Sequence, residues 1–473
     1  MTKTFTKRIA TVFCGLILAA SVHAADITML YSYMISTDYK QAVLGSYDPA
    51  GTATSVTDLP ISPLGRDAAL NTWKTRLNII ERYQKDDVIV LDAASETPST
   101  PILNYSLGNG SNPYAIVHLS DTKAYVIRYG RPDILIVNPA TGDTTLGRID
   151  LGAYASNVAG DDDGLPEMVG GVIVNGVLYV PMQLQKNFAV TRVGLLAAIN
   201  TASDAVTDTL SLTIKNPLDI QRNAAGTELY IGGGEYLSYG IPGAAAFGGV
   251  DRVNIAQWTA TRVVEADSLH GNISEIEVAM DGNLWVLSNY ATWGQGEVYR
   301  IDAATGAILD SIDVIETPTT MTLSSNNELA VADRGFVAPG IVLFDGATGA
   351  ATTGVITGTF PPSALAFVTV GTSVGVSADR PESAGITGNQ PNPFNPSTTI
   401  SWTLARSGEA SLVVYNIAGQ VVRTLVSGQQ TAGVHSVTWN GRDNRGRTMA
   451  SGVYLARLVS GGKTFVHRMT LVK

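Results

Sequence analysis

Cysteine is almost missing from this sequence, which holds one, Cys14, in 473 residues. It lies inside an apolar run near the start of the chain, where we expect it to be removed with an export signal. Because Phe13, rather than a small residue, precedes it well ahead of the expected cleavage point, we exclude a lipid-modified cysteine. The mature chain then has no disulfide, so its stability must come from its hydrophobic core and its topology.

Histidine is also scarce, and the familiar catalytic motifs are missing. After residue 24 the chain keeps His118, His270, His435 and His467. They form no cluster with zinc-ligand spacing, and there is no Gly-x-Ser-x-Gly nucleophile elbow and no phosphate-binding glycine loop. His118 falls within an expected strand, which favours a structural role. These absences argue against most enzyme classes, although His270, close to Glu275, leaves a metal-assisted reaction open.

Charged residues make up only 15% of the chain, and the two signs are unevenly distributed around a net charge of −10. From Pro391 onward, nine Lys or Arg residues outnumber two acids, Glu409 and Asp443, and give this segment about +7. Residues 25–390 therefore carry about −20. The asymmetry indicates two domains, and the acidic part argues against nucleic-acid partners. The simpler interpretation of the acids is that they keep an exported domain soluble.

No apolar run is long enough to cross a bilayer, and the one that comes closest has the features of an export signal. Basic residues within 3–8 precede the apolar run of residues 9–20, and residues 22–24 offer small side chains where signal peptidase cuts. We therefore assign residues 1–24 to a signal peptide cleaved after Ala24. Since a helix needs about 20 apolar residues to span a bilayer, we expect no transmembrane segment and a protein that is secreted or held at the cell surface.

The sequence does contain a recurring turn. Val137-Asn138-Pro139-Ala140-Thr141-Gly142 ends an apolar strand, and variants recur at residues 301–306 and 344–349. An Asx side chain can accept backbone N–H groups two residues on, and the glycine can take the left-handed conformation that lets the next strand start. Alignment of the turn along the chain places its Asx residue at Asp48, Asp92, Asn138, Asn200, Asn254, Asp302 and Asp345. A period in the forties is typical of β-propeller blades; the turn at Asn254 is the weakest member because it lacks the Thr-Gly exit.

Strand signals recur in phase with the turn. A Pro- or Gly-marked start such as Asn112-Pro113 comes first, and a core strand such as Ala124-Tyr125-Val126 follows it. A further strand, Pro362 to Val370, comes after the last full blade, whereas the segment from Ile27 has no inner strand before it. We predict that these two segments pair and close an all-β, seven-bladed propeller over residues 25–370. Closure would remove an open sheet edge without a disulfide.

The Asn-Pro start, the Ala-Tyr-Val strand and the Asn-Pro-Ala-Thr-Gly turn resemble the YncE-type, or YVTN-repeat, seven-bladed propellers. These are exported bacterial and archaeal proteins that include surface-layer proteins, and the resemblance covers about residues 27–370. It implies a fold more than an activity, because propellers serve as binding scaffolds, lyases, lactonases and dehydrogenases.

After a Gly-, Ser- and Thr-rich linker at residues 371–389, residues 390–473 alternate in the manner of a small Ig-like β-sandwich. Residues 391–400, 412–425, 439–446, 451–454 and 469–473 resemble the type A C-terminal sorting domain of type IX secretion, which shares its look with the FlgD-type Ig-like domain. The hairpin at 441–447 leans toward the FlgD-like variety. The resemblance implies the secretion machinery as a partner, and either cleavage or surface attachment of this domain.

Two sets of polar residues are candidate binding sites. The residues that open the inner strands should converge at one mouth of the propeller channel, where a ligand site is expected; they are Asp67, Asn112, Glu167, Asn216, Asn272 and Thr317. The alternative is that they only cap strand starts. Asp161, Asp163 and Glu167, in the loop that enters the fourth inner strand, offer oxygen ligands for calcium, the one cofactor that the sequence suggests. The alternative there is a solvated acidic turn.

Three functions fit this sequence. The first is a secreted or surface-attached scaffold that binds a protein, a glycan or a small ligand. The second is an extracellular metal-dependent lyase or lactonase at the channel mouth. His270 and Glu167 separate it from the first, and a His270 that faces a carboxylate cluster in the channel would favour the enzyme. The third is a surface-layer or filament subunit, which would self-associate. The sequence names no catalytic residue.

Overall fold

The protein is described from a computed structural model. The residues that it describes are 25–33, 42–47, 55, 57–59, 61, 64–65, 67–82, 85–95, 99–155, 163–186, 190, 192–234, 248–290, 296–313, 315, 317–334, 339–358, 361–370, 385–404, 408–416, 419–430, 433–460 and 463–472. Asp161 and Asp48 lie outside the described residues, as do the expected signal peptide and most of the expected linker.

Short apolar strands separated by turns form seven antiparallel sheets of four strands, the blades of a propeller. Blade one contains β1 (Ala25–Tyr33), β2 (Ala42–Tyr47), β3 (Thr57–Leu59) and, as its inner strand, β28 (Pro362–Val370). The other blades, each listed from its inner strand outward, are blade two with β4 (Ala68–Trp73), β5 (Arg76–Glu81), β6 (Asp87–Asp92) and β7 (Leu103–Ser106); blade three with β8 (Pro113–Ser120), β9 (Lys123–Arg128), β10 (Asp133–Asn138) and β11 (Asp143–Asp150); blade four with β12 (Val172–Val174), β13 (Val177–Met182), β14 (Val193–Asn200) and β15 (Ala205–Lys215); blade five with β16 (Pro217–Arg222), β17 (Glu228–Gly233), β18 (Gly249–Asn254) and β19 (Thr259–Glu265); blade six with β20 (Gly271–Val278), β21 (Leu284–Tyr290), β22 (Gly296–Ile301) and β23 (Ile308–Ile312); and blade seven with β24 (Pro318–Leu323), β25 (Glu328–Asp333), β26 (Gly340–Asp345) and β27 (Ile356–Thr357). Two short 3-10 helices are Gly152–Tyr154 and Ala266–Leu269.

The ring closes by pairing the first strand of the propeller with its last. β1 is antiparallel to β28, with Met29 opposite Ala366 and Tyr31 opposite Ala364. β28 also lies between the inner strands β24 and β4, so seven inner strands surround one channel. The predicted closure and blade count are therefore confirmed.

The second strand of each blade supplies the core between neighbouring blades. Tyr125 and Ile127 on β9 share one buried cluster with Leu178 and Val180 on β13. These residues are large and apolar on both faces of their strands, because each blade is covered by a blade on either side. A hydrophobic core thus lies at the interface between neighbouring blades around the ring.

The recurring turn has the predicted chemistry. Asp345 Oδ1 accepts the backbone N–H of Thr348 at 2.8 Å, and Gly349 then adopts a left-handed φ of +71°. In the turn at Asn254, which has no such glycine, Trp258 takes the left-handed conformation with φ of +51°. An Asn side chain still accepts a backbone N–H there, so this turn is a true member of the series.

A β-sandwich follows the propeller in the chain. One sheet has the order β29 (Gly385–Gln390), β30 (Thr398–Leu404), β33 (Gly433–Trp439), and the other has the order β32 (Val421–Gln430), β31 (Gly408–Asn416), β34 (Gly452–Ser460), β35 (Lys463–Leu471). Phe394, Trp439 and Tyr454 pack ring against ring inside it, with centroids 5.1–5.4 Å apart. β29 begins inside the segment predicted as linker, because a glycine-rich strand with a bulge near Gly388 has the composition of a linker.

Among the described residues, no helix is long and apolar enough to cross a membrane.

Candidate functional site at the channel mouth

The strand-opening residues predicted from the sequence occupy equivalent places in successive blades. In four of the six, the backbone carbonyl accepts the N–H of the residue that follows the second strand of the same blade. This bond joins Asp67 to Arg82, Asn112 to Tyr129, Glu167 to Gln183 and Thr317 to Arg334, at 2.9–3.3 Å. The first strand therefore starts beside the end of the second strand, at one mouth of the channel.

Three of these residues have an unusual backbone conformation. Asn112, Glu167 and Asn216 adopt left-handed φ angles of +43°, +46° and +47°. Asn tolerates this region because its short polar side chain can bond locally, whereas Glu rarely occupies it. Glu167 is therefore held in place by its surroundings rather than by local preference.

A buried amide cluster joins blades four and five at this mouth. Glu167 Oε2 accepts the backbone N–H of Gln185 at 3.0 Å. The Gln185 side-chain amide donates to Asn216 Oδ1 at 2.6 Å and to Gln183 Oε1 at 3.0 Å. Gln183 Nε2 donates to the carbonyl of Pro217 at 3.1 Å. These four polar side chains are at most 5% exposed, so each bond forms away from bulk water.

One donor of this cluster is unsatisfied. Asn216 is 1% exposed, and its Nδ2 finds no acceptor among the described residues. Buried polar groups in proteins are nearly always hydrogen-bonded, so an exception calls for a water or a ligand.

An aromatic pair extends the cluster toward blades two and three. The Tyr129 hydroxyl donates to Gln185 Oε1 at 3.3 Å, and the Tyr129 ring stacks on Tyr114 with centroids 5.3 Å apart. The Arg82 guanidinium lies 4.5 Å from the centre of the Tyr114 ring. Arg82 Nε also donates to Asp67 Oδ1 at 2.8 Å, so the predicted site residue Asp67 is engaged in an ion pair.

The other two predicted mouth residues are not joined to this cluster by any contact between described residues. The Asn272 side chain packs against Gly234, where a Cβ would collide with it. Thr317 donates its backbone N–H to Asp333 Oδ1 at 3.0 Å. For these two, capping of the strand start describes the contacts that are present.

Sequence reasoning considered Glu275 only as a neighbour of His270 and did not place carboxylates in the channel wall. Asp219 Oδ2 accepts the N–H of Ile276 at 2.8 Å, and Glu275 Oε2 accepts the N–H of Met321 at 2.6 Å. The signal that could have found them is an acid beside the apolar core residue of an inner strand, as in Glu275-Ile276-Glu277.

Burial sets the protonation of this wall. It raises the pKa of Glu275 to about 8, and the charge of Asp219 adds to that rise, while the N–H of Met321 and the Thr320 hydroxyl oppose it. Burial also raises the pKa of Glu277 well above its usual range, and it raises the pKa of Asp219. Glu275 is therefore largely uncharged at neutral pH.

The two proposed calcium ligands that the structure describes already accept hydrogen bonds from backbone N–H groups. Asp163 Oδ1 accepts the N–H of Leu165 at 2.9 Å, and Glu167 is bound to Gln185. Asp161 lies outside the described residues. Within the described ranges no three His, Cys, Asp or Glu side chains are grouped so that they could hold a metal, so Asp163 and Glu167 alone do not make a calcium site.

The two propeller histidines differ in setting. His270 is exposed and follows the 3-10 helix at Ala266–Leu269 with a left-handed φ of +59°. His118 stacks on Trp73 with centroids 5.0 Å apart, and burial, with the charge of Arg76, lowers its pKa to about 4. His118 is therefore neutral at physiological pH, in keeping with the structural role predicted for it.

Comparison with known proteins supports both parts of the architecture. Residues 388–462 match the family model of the FlgD Ig-like domain. A candidate 6-phosphogluconolactonase from Bacteroides fragilis is 15% identical over 74% of this chain and all of its own, with a TM-score of 0.51. A second such protein, from Bacteroides uniformis, is 12% identical over 73% of this chain and all of its own, with a TM-score of 0.52. A protein from Lactobacillus plantarum is 12% identical over 73% of this chain and 99% of its own, with a TM-score of 0.53.

At these identities the solved structures share a fold with this chain and indicate nothing about its activity. No curated protein matches the sequence. The chain is thus a seven-bladed β-propeller that is followed by an FlgD Ig-like domain at residues 388–462.

Proposed function

We propose that this protein is an exported binding scaffold whose ligand site is the channel mouth between blades three and five. The observation that carries the proposal is the buried Asn216 amide, which keeps an unsatisfied donor inside a cluster otherwise bonded throughout. A donor in that state is favourable only if something supplies an acceptor, and a channel mouth is where ligands enter a propeller.

Binding can be tested by melting the protein comprising residues 25–473 against a broad library of sugars, peptides, nucleotides and organic acids. A ligand that raises the melting temperature of the parent protein, but not that of a variant altered at Asn216, supports the mouth site. If no compound shifts the parent protein, or if every shift survives the substitution, the ligand site lies elsewhere.

The second part of the proposal concerns delivery. The leader at residues 1–24 would take the chain across the inner membrane, and the FlgD Ig-like domain would act as a type IX sorting domain recognised by the secretion machinery. It is supported by the resemblance of residues 390–473 to such domains, and the YncE-type resemblance of the propeller agrees with an extracellular address. Surface attachment would then place the channel mouth before a surface protein or glycan.

The delivery proposal is tested by fusing residues 390–473 to an exported reporter in the native host. We expect the reporter at the cell surface or in the medium. A reporter that remains in the periplasm, although it is folded and stable, would sink the sorting role and leave a plain Ig-like spacer.

Calcium in the loop at residues 161–167 remains a prediction with its own test. Calcium should raise the melting temperature, and the rise should vanish in the double variant Asp161→Ala, Asp163→Ala. No shift in the parent protein would end the idea.

A metal-dependent lyase or lactonase is the second candidate, and the half-buried Glu275, with its pKa near 8, is the observation that favours it. A carboxyl group with that pKa can both give and take a proton near neutral pH. Two similar structures carry the name 6-phosphogluconolactonase. Hydrolysis of a sugar lactone with added divalent metals, compared between the parent protein and Glu275→Gln, would reveal such an activity.

The surface-layer alternative predicts self-association of the purified chain in size-exclusion chromatography.

A further inference from the structure

The loop that leads from blade two to blade three contains an Asn-Gly pair, and we propose that this pair is a site of covalent self-modification. Asn109 and Gly110 cyclise to a succinimide with release of ammonia, and water then opens the ring to aspartate or isoaspartate. Two contacts at the peptide bond that joins these residues distinguish this pair from the others in the chain. The site is separate from the proposed ligand site and does not depend on it.

The residue types alone do not select this pair. The chain contains three Asn-Gly pairs, which begin at Asn109, Asn175 and Asn440, and all three asparagines are exposed. Glycine has no Cβ, so in each pair its backbone nitrogen can approach the side-chain amide of the preceding asparagine. A difference in reactivity therefore has to come from the surroundings that the fold provides.

Asp86 and Arg131 hold the two sides of the peptide bond between Asn109 and Gly110. The Asp86 carboxylate accepts the Gly110 N–H at 2.8 Å, and Asp86 is only 4% exposed. On the other side, the Arg131 guanidinium donates to the Asn109 carbonyl oxygen. A cation on that oxygen draws electrons from the peptide nitrogen and makes its proton easier to remove. The carboxylate is in place to receive the proton.

The chemical nature of the acceptor decides whether the hydrogen bond of Gly110 protects its nitrogen or activates it. A neutral carbonyl oxygen shares the proton of an N–H group but does not take it, so a bond of that kind keeps the nitrogen unreactive. A carboxylate can take the proton as the nitrogen attacks, which is general base catalysis. Asp86 therefore favours the reaction.

The Asn109 side chain is free to adopt the attacked position. It makes no hydrogen bond with any residue that the structure describes. The glycines on either side, Gly108 and Gly110, have left-handed φ angles of +85° and +72°. Glycine tolerates a wide range of backbone angles, so the loop can make the rotation that ring closure needs.

The other two pairs lack these features. Asn175 and Gly176 form the tight turn between β12 and β13, with left-handed φ angles of +50° and +79°, so ring closure there has to undo a hairpin. Gly441 is buried, and its carbonyl accepts the Met449 N–H at 2.8 Å. Within the described parts of the chain, neither glycine nitrogen donates to a carboxylate.

The reaction balances without a cofactor. The Gly110 nitrogen forms a bond to Asn109 Cγ, and the bond from Cγ to Nδ2 breaks. The proton that Asp86 takes from Gly110 passes to the departing nitrogen, which leaves as ammonia. Water then adds to one of the two ring carbonyls. Either product carries a new carboxylate close to Arg131, in the loop that enters the channel mouth at Asn112.

The test incubates the protein comprising residues 25–473 at neutral pH for several days. Peptide mass spectrometry measures amide-to-acid conversion at all three asparagines, and electron-transfer fragmentation separates isoaspartate from aspartate. The same protein unfolded in guanidinium chloride gives the rate of each pair without the fold. The decisive variant is Arg131→Met, which removes the donor to the Asn109 carbonyl. Its matched control is Arg445→Met, an exposed arginine whose side chain bonds to no described residue.

We expect Asn109 in the folded protein to convert at least about fivefold faster than Asn175 and Asn440, and faster than it does in the unfolded chain. In the unfolded chain the three rates should be similar. Arg131→Met should slow Asn109 by at least about threefold, and Arg445→Met should leave its rate unchanged.

The comparison of the three pairs needs no variant, so it decides the matter even if Arg131→Met melts early. Equal rates at the three pairs in the folded protein would overturn the proposal. So would a rate at Asn109 that is lower in the folded protein than in the unfolded chain, or one that Arg131→Met leaves unchanged.

Discussion

The carboxylate of Asp219 accepts the backbone N–H of Ile276 at 2.8 Å and so ties the inner strand of blade five to that of blade six. Glu275 makes the same kind of bond at the next blade interface, where it accepts the N–H of Met321 on the inner strand of blade seven. These acids lie in the channel wall, and burial raises their pKa values. The same groups therefore connect the blades and make the connection dependent on pH.

Stability should fall as the pH rises through the neutral range. Because the folded-state pKa of Glu275, about 8, exceeds its ordinary value of 4.5, the proton stabilises the fold below pH 4.5 and that contribution is lost as the pH rises through 8. Glu277 and Asp219, which face it, act in the same direction. The loss is up to about 1.4 kcal/mol per pH unit for each group.

Glu275→Gln should flatten this dependence, since Gln still offers Met321 an oxygen but does not titrate. Melting temperatures at mildly acidic and mildly alkaline pH should differ less in the variant than in the parent protein. Asp313→Asn, an exposed acid after β23, is the control and should leave the pH dependence unchanged. An equally steep decline in Glu275→Gln would show that other groups cause it.

The recurring turn should be intolerant of a side chain at its glycine. Gly349 has a φ of +71°, and a Cβ there would lie 2.9 Å from the Trp285 ring of blade six. Gly349→Ala should lower the free energy of unfolding by about 1–3 kcal/mol, as judged by urea denaturation. Gly354→Ala, where nothing lies within 4 Å, should change it by less than about 1 kcal/mol. Equal effects of the two changes would contradict the turn geometry.

The Asp133 carboxylate should matter far more to buried Arg128 than to exposed Arg148. Arg128 is 2% exposed and Arg148 is 60% exposed, and both pair with Asp133. Asp133→Asn leaves a buried guanidinium without its counter-charge and should cost about 3–5 kcal/mol. Arg148→Ala breaks only the exposed pair and should cost less than about 1 kcal/mol. Calorimetric melting distinguishes the two, and a mild effect of Asp133→Asn would mean that Arg128 finds another partner.

The closure register can be tested by cross-linking, because residues 25–473 contain no cysteine. Met29→Cys combined with Ala366→Cys places thiols on directly paired residues, and oxidation should join them and raise stability by about 2–4 kcal/mol. The out-of-register pair, Met29→Cys with Ala364→Cys, should stay largely reduced. Mass spectrometry of peptides from the non-reduced protein gives the answer; preferential linkage of the second pair would shift the register.

The blade count and the closure could be read from the sequence because both depend on local chemistry. The capping Asp and the glycine with positive φ both depend on interactions within six residues, so Asp345 and Gly349 can be recognised from the sequence alone. Once the turns were in phase, the surplus strand at Pro362 had one place to go, beside β1.

The site could be located from the sequence but its bonding could not. The period of the repeat located Asn216 and Glu167. Gln183 and Gln185 follow β13, the second strand of blade four, and they meet Asn216 only where blades four and five pack together. Asp67 was expected to face a ligand, and Arg82 instead pairs with it. Such partners depend on how neighbouring blades meet, which no single repeat encodes.

The pairing of β1 with β28 also constrains the order in which the blades can fold. β1 finds its neighbour β28 only after almost the whole propeller has been synthesised. Closing so large a loop carries an entropic cost that the early blades cannot offset, which makes ring completion a late event. The first blade is therefore completed last, after the six blades that separate its outer strands from its inner strand in the sequence.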